Sequence, residues 1–149
     1  FAMDPTCTPV LPVEEPLRGS AGEPFDALFG GDHPLFDFIA VENSKPGRQS
    51  NYIVVHATPE WSTQHLESDP AEISELIREA FSETFQVTTQ ARLSHRWRYA
   101  RPINPKFTAQ KGIYQVSPNL WVAGDYLAGG RVEGAYLSGL EAAERILAR

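Results

Sequence analysis

Gly124-Asp-Tyr-Leu-Ala-Gly-Gly-Arg-Val-Glu-Gly-Ala-Tyr-Leu-Ser-Gly139 joins an apolar run, Leu120-Trp-Val-Ala123, to Leu140-Glu-Ala-Ala-Glu-Arg-Ile-Leu147. The first run reads as a buried strand and the last as a helix. A strand that ends at Gly-Asp and passes through glycines into a helix start brings backbone N–H groups together at the positive end of the helix dipole. Gly124 lets a backbone approach closely, Asp125 can accept hydrogen bonds from hydroxyls, and Gly129-Gly130 permits a path closed to other residues. The N–H groups around Val132 and Glu133 have no partner within a helix. Gly134, Ser138 and Ala142, four residues apart, form a small-residue face for tight packing. Such a turn can seat an anionic or electron-accepting cofactor. By residue type alone it serves equally well as a plain joint between strand and helix.

Outward from this turn, Gly112-Ile-Tyr-Gln-Val116 and Asn119-Leu-Trp-Val-Ala123 flank Ser117-Pro118 and predict a hairpin, with a last helix from about Arg131 to Ala148. Upstream, Leu93-Ser-His-Arg-Trp-Arg-Tyr-Ala100 alternates. His95, Trp97 and Tyr99 share one face, and Arg96 and Arg98 the other. The aromatic face suits stacking on a planar ligand, or burial in a core. The arginines suit solvent or phosphate. Asp69-Pro70 is an N-cap followed by proline at the first helical position. Ile73, Leu76, Ile77, Ala80 and Phe81 then recur at helical spacing to about Glu83, so this helix should lie across a sheet.

Asn51-Tyr-Ile-Val-Val-His-Ala57 reads as a central strand and Leu35 to Val41 as another. Before them, Pro9, Pro12, Pro16 and Pro24 allow only edge or short strands such as Val10 to Val13. Phe25, Leu28 and Phe29 read as one apolar turn on a core. Asn43-Ser-Lys-Pro-Gly-Arg48 is a polar loop, and Thr58-Pro-Glu-Trp-Ser62, with His65 beyond it, a helix start.

The 149 residues suffice for a real core, and the net charge of −6 leaves no basic stripe for nucleic acid. Cys7 is the only cysteine and fits a reducing, cytoplasmic setting. No apolar stretch nears the roughly 20 residues of a membrane span, so no membrane partner is expected. His33, His56, His65 and His95 are scattered, and no metal site is expected. The Gly-x-Gly-x-x-Gly dinucleotide fingerprint does not occur.

Four collinear stretches resemble the C-terminal half of the renalases, flavin-dependent oxidoreductases related to the flavin amine oxidases. They are Asn43 to Arg48, Val54 to Ser62, His95 to Pro102, and Gly124-Asp-Tyr followed by Gly130 to Gly139. The resemblance implies an α+β fold: a mixed, largely antiparallel sheet with a covering helix over residues 1–110, the substrate part. Residues 111–149 would be a strand–turn–helix completing a Rossmann-like FAD domain. It also implies that Gly124, Asp125, Gly130, Arg131, Val132, Glu133 and Gly134 touch FAD, and that His95, Asn43, Trp97 and Tyr99 face the substrate cavity. The reaction implied is oxidation of misreduced NAD(P)H isomers to NAD(P)⁺, with oxygen as acceptor and peroxide as product. A relative acting on amines, or a binding module without redox chemistry, are the other readings. Because the fingerprint is missing and Met3 is the only methionine, the expectation is a piece of a longer protein, inactive alone and prone to self-association. Residues 1–5 are otherwise read as an added leader.

Overall fold

The computed structural model describes residues 3–13, 16–19, 22–102 and 112–148. They form two compact units, 5–98 and 99–149 with 1–4. The fold is α+β, and its principal sheet is largely antiparallel.

Mostly within the first unit, β1 (Met3–Pro12), β2 (Ala27–Phe29), β3 (Phe36–Val41), β4 (Tyr52–Ala57) and β5 (Leu93–Pro102) form a five-stranded sheet in the order β2-β3-β4-β1-β5; the start of β1 and the end of β5 fall outside its bounds. The β-branched run predicted as central is β4, and it lies at the centre of the sheet. Its alternate residues Ile53, Val55 and Ala57 are buried against Leu11, Phe36 and Ile39. Helix α2 (Pro70–Phe85) lays Ile73, Ile77 and Phe81, each at most 1% exposed, into the same core. Fully burying side chains of this size is worth about 1.5–3 kcal/mol each. The Asp69 carboxylate caps α2 by accepting from Ala71 N at 2.8 Å, and Gln86 closes it in the left-handed region, φ 54°.

Strand β1 corrects the sequence reading. Its prolines predict an edge or a short strand, yet it runs ten residues between β4 and β5. Proline lacks the N–H a central ladder needs, and the register with β4 runs only from Val10↔Val54 to Pro12↔Tyr52. Ahead of the fully buried Pro9, side chains take over. Thr6 Oγ1 donates to the Ala57 carbonyl at 2.9 Å, and Cys7 N donates to Ser62 Oγ at 3.1 Å. Burial pushes the Cys7 thiol above its ordinary pKa, against the opposing pull of Ser62 and Arg96. Phe25 and Leu28 pack on the core as expected, but Phe29 does not: it ends β2 and is 80% exposed.

In the second unit, β6 (Ile113–Ser117) and β7 (Leu120–Ala123) form the predicted hairpin, and α3 (Val132–Leu147) follows. The Leu120–Ala123 strand is not buried: Leu120 and Ala123 are exposed and the two residues between them half-buried. A two-stranded ribbon has too little surface to cover itself.

Candidate functional site

The glycine-rich turn folds around one carbonyl. After β7 a 3₁₀ turn spans Asp125–Leu127, and the Asp125 carbonyl accepts from Ala128 N at 2.8 Å and Gly130 N at 2.7 Å. Gly129 and Gly130 take φ of 92° and 70°, so the Gly-Gly pair supplies the left-handed path its sequence predicts. The Asp125 carboxylate makes no hydrogen bond to any described residue and stays half-buried.

Ser138 ties the start of this turn to the residue ahead of β6. Its fully buried hydroxyl accepts from Gly124 N at 2.7 Å and donates to the Gly112 carbonyl. Gly134 sits hard against the turn, where a Cβ would fall well inside contact with the Ala128 carbonyl oxygen. Gly134 and Ser138 therefore bring α3 onto the turn, as their spacing implies.

The start of α3 is uncapped. Arg131 occupies the N-cap position and its side chain makes no capping hydrogen bond, and among the described residues no side chain is seen to accept from the amides of Val132, Glu133 and Gly134. The turn thus offers N–H groups, a positive helix end and a carboxylate without a partner. Those are the groups that could hold the hydroxyl-bearing and anionic parts of a flavin cofactor. The residues present fit that share of a site.

The strand β5 carries the second set. Arg96 turns inward: its Nη2 donates to the Ser68 carbonyl at 2.7 Å and its Nη1 to the Leu66 carbonyl. Arg98 holds Glu67 bidentately at 2.7 and 3.0 Å, and this pairing lowers the Glu67 carboxyl pKa. Both arginines clamp the turn that links α1 (Pro59–Gln64) to α2; Arg96 is half-buried, whereas Arg98 stays open to solvent, as its strand face allows. On the alternate positions His95, Trp97 and Tyr99 are exposed, and the His95 and Trp97 rings meet edge-on at 4.3 Å.

The other histidines are committed to structure or neighbours. His33 Nδ1 accepts from Leu35 N and Phe36 N, and its ring stacks on Phe36 at 4.4 Å. His65 stacks on Trp61 at 3.9 Å, while Thr58 caps α1 through Trp61 N. That bears out the helix-start reading of Thr58 to Ser62. His56 meets Phe38 edge-on at 5.8 Å, and Phe38 meets Phe29 at 5.0 Å. This aromatic row across β2, β3 and β4 escapes sequence reading, because the pairing Phe29↔Phe38↔His56 exists only once the register is set.

Asn43 stands apart from His95. It lies in the 3₁₀ turn after β3, and two strands, β4 and β1, separate β3 from β5. In that turn Glu42 is buried and pairs with Lys45 and, at 3.5 Å, with Arg48. The loop's cations thus serve its own acid.

A strand–turn–helix with an uncapped helix start is a place where an anionic cofactor can be seated. The family model of the flavin containing amine oxidoreductases matches residues 3–147, and the chain belongs to that family. Its chemistry is oxidoreduction on a flavin. Among the described residues no cluster of three His, Cys, Asp or Glu comes together to hold a metal, and no helix is long and apolar enough to cross a membrane.

Proposed function

We propose that this chain supplies the substrate-facing sheet and the last FAD-binding segment of a renalase-like oxidoreductase. The cofactor on this reading is FAD, and the substrates are misreduced isomers of NAD(P)H. When bound, FAD would supply the redox chemistry, as hydride acceptor for the dihydronicotinamide and electron donor to oxygen, with NAD(P)⁺ and peroxide as the products. The chain's own residues bind and orient. Gly124, Asp125 and Gly130 receive the ribityl or pyrophosphate side, with the Asp125 carboxylate accepting from hydroxyls. The Arg131–Gly134 amides stabilise negative charge on the flavin's pyrimidine edge. His95, with Trp97 and Tyr99, presents an exposed ring face to a planar nicotinamide, and Asn43 is the weakest of the proposed contacts.

The observation that carries this reading is the uncapped start of α3 following an Asp125 carboxylate that has no partner among the described residues. The narrowing from amine oxidoreductase to renalase-like rests on the His95-Arg-Trp-Arg-Tyr99 stretch. Without a dinucleotide fingerprint in its sequence, the chain alone should hold half a site, bind FAD weakly and turn over little. Its exposed apolar side chains on α3 favour self-association. The lone buried Cys7 suits a reducing, cytoplasmic compartment.

The test is anaerobic flavin bleaching by FAD-loaded protein that includes this chain. The 2- and 6-dihydro isomers of NAD(P)H should bleach the flavin, and benzylamine and spermine should not. Bleaching by an amine but not by the isomers would replace this reading with that of an amine oxidase, which the family name itself favours.

A further inference from the structure

One cleft in the sheet unit shares only Asn43 with the residues assigned above. Its volume is about 300 Å³, at the small end of the range for ligand clefts. It lies where the end of β1, the connection before β2 and the turn after β3 converge. Its apolar wall includes Leu17, Phe25 and Val41; Leu17 is 3% exposed, and the other two pack against the core. Phe25 is further held by Phe85 of α2, ring centroids 5.9 Å apart. The wall is therefore fixed by the unit's own packing.

The polar lining has one sign. Asp26, Asn43 and Asn51 line this space, and among the described lining residues Asp26 is the only ionisable one. The basic groups nearby have acceptors of their own. Lys45 and Arg48 pair with Glu42, and Arg18 Nη1 donates to the Gly22 carbonyl at 2.7 Å. An anion would meet the Asp26 carboxylate with no paired cation to offset it. A purely apolar guest would desolvate a carboxylate and two amides without replacing their hydrogen bonds.

We infer that this cleft binds a small organic cation bearing N–H donors on a compact apolar body, of the amidinium or guanidinium kind. The Asp26 carboxylate accepts charge-assisted hydrogen bonds. The amide oxygens of Asn43 and Asn51 accept from the remaining N–H groups. Phe25 and Leu17 cover the apolar body, with the Phe25 ring adding attraction for the charge. On this account Asn43 belongs to a second, non-redox site. The inference stands apart from the flavin reading, and either can fail alone.

Benzamidinium, benzamide and benzoate have nearly the same shape and differ in charge, and none has the C–H on an amine carbon that an amine oxidation needs. Each is titrated into the ¹⁵N-labelled full chain to about 20 mM, above the millimolar range that one charged contact and a small apolar face support. Benzamidinium should shift the amides around Phe25, Asp26, Asn43 and Asn51 saturably. Benzamide should bind at least about tenfold more weakly, and benzoate not at all. Asp26→Asn, which keeps the main-chain carbonyl that accepts from Val41 N at 2.9 Å, should weaken benzamidinium about tenfold and leave benzamide unchanged. Glu72→Gln, on the exposed face of α2, should change nothing. Equal binding of benzamide and benzamidinium, no shift at these four residues, or shifts indifferent to Asp26→Asn would each overturn the inference.

Discussion

Helices α2 and α3 are both sixteen residues long and both amphipathic, yet they end in opposite situations. Helix α2 buries Ile73, Ile77 and Phe81 in a core built by four strands of its own unit. Helix α3 buries only Gly134 and Ser138, and leaves Val132, Tyr136, Leu137, Ile146 and Leu147 between 51% and 90% exposed. The first helix holds a fold together. The second positions a turn and presents an apolar stripe outward. Core stability and the geometry of the glycine turn are thus separated along the chain, and substitutions in the two helices should read out on different scales.

The largest effect is expected at Phe81. Phe81→Ala empties a fully buried site and should cost about 3–5 kcal/mol in chemical denaturation. Leu147→Ala, at 85% exposure, should stay within about 0.5 kcal/mol. Similar losses at both would mean that α3 has a buried seat of its own, and the contrast would be gone.

Next come two glycines of one helix. Gly134→Ala forces a Cβ against the Ala128 carbonyl and should cost about 1–3 kcal/mol by overpacking, loosening the Asp125–Gly130 turn. Gly139→Ala has nothing within 4 Å and should stabilise α3 by about 0.5–1 kcal/mol, since it restricts the unfolded chain and removes a helix-interior glycine. Opposite signs in thermal melts support a close seat for α3 on the turn; equal signs would remove it.

The smallest effect is the Glu67–Arg98 pair on the turn before α2. Arg98 lowers the folded pKa of Glu67, so the pair's contribution is present above the unfolded carboxyl pKa and fades as pH falls through the folded value. Because Glu67 is fully exposed, the effect should be slight and should vanish in high salt. Arg98→Ala should flatten that part of the acid limb in a stability–pH profile; an unchanged profile would show the clamp rests on Arg96 alone.

Local signals made much of this legible from sequence. Asp69-Pro70 and the spacing from Ile73 to Phe81 located α2, and Gly129-Gly130 ahead of a helix starting near Arg131 anticipated the left-handed turn and the free amides at Val132 and Glu133. What failed is non-local. Nothing in the run around Pro9 says that Thr6 and Cys7 will find the Ala57 carbonyl and Ser62 Oγ, so β1 reads as an edge when it is interior. Phe29 reads as core because its hydrophobicity is local, whereas its exposure follows from sheet order. The separation of Asn43 from His95 by intervening strands, and the aromatic row through Phe38 and His56, likewise depend on strand order. The inward turn of Arg96 depends on where residues 66–68 pass.

The central claim is that the start of α3 and the Asp125 turn form one half of a flavin pocket. Its most direct test is a titration of FAD into the ¹⁵N-labelled chain, with gel filtration of the same mixture. Shifts confined to Asp125 and Gly130 to Gly134, with little yellow flavin retained on the column, are the expected result. Silent amides at those positions, or shifts centred elsewhere, would contradict it.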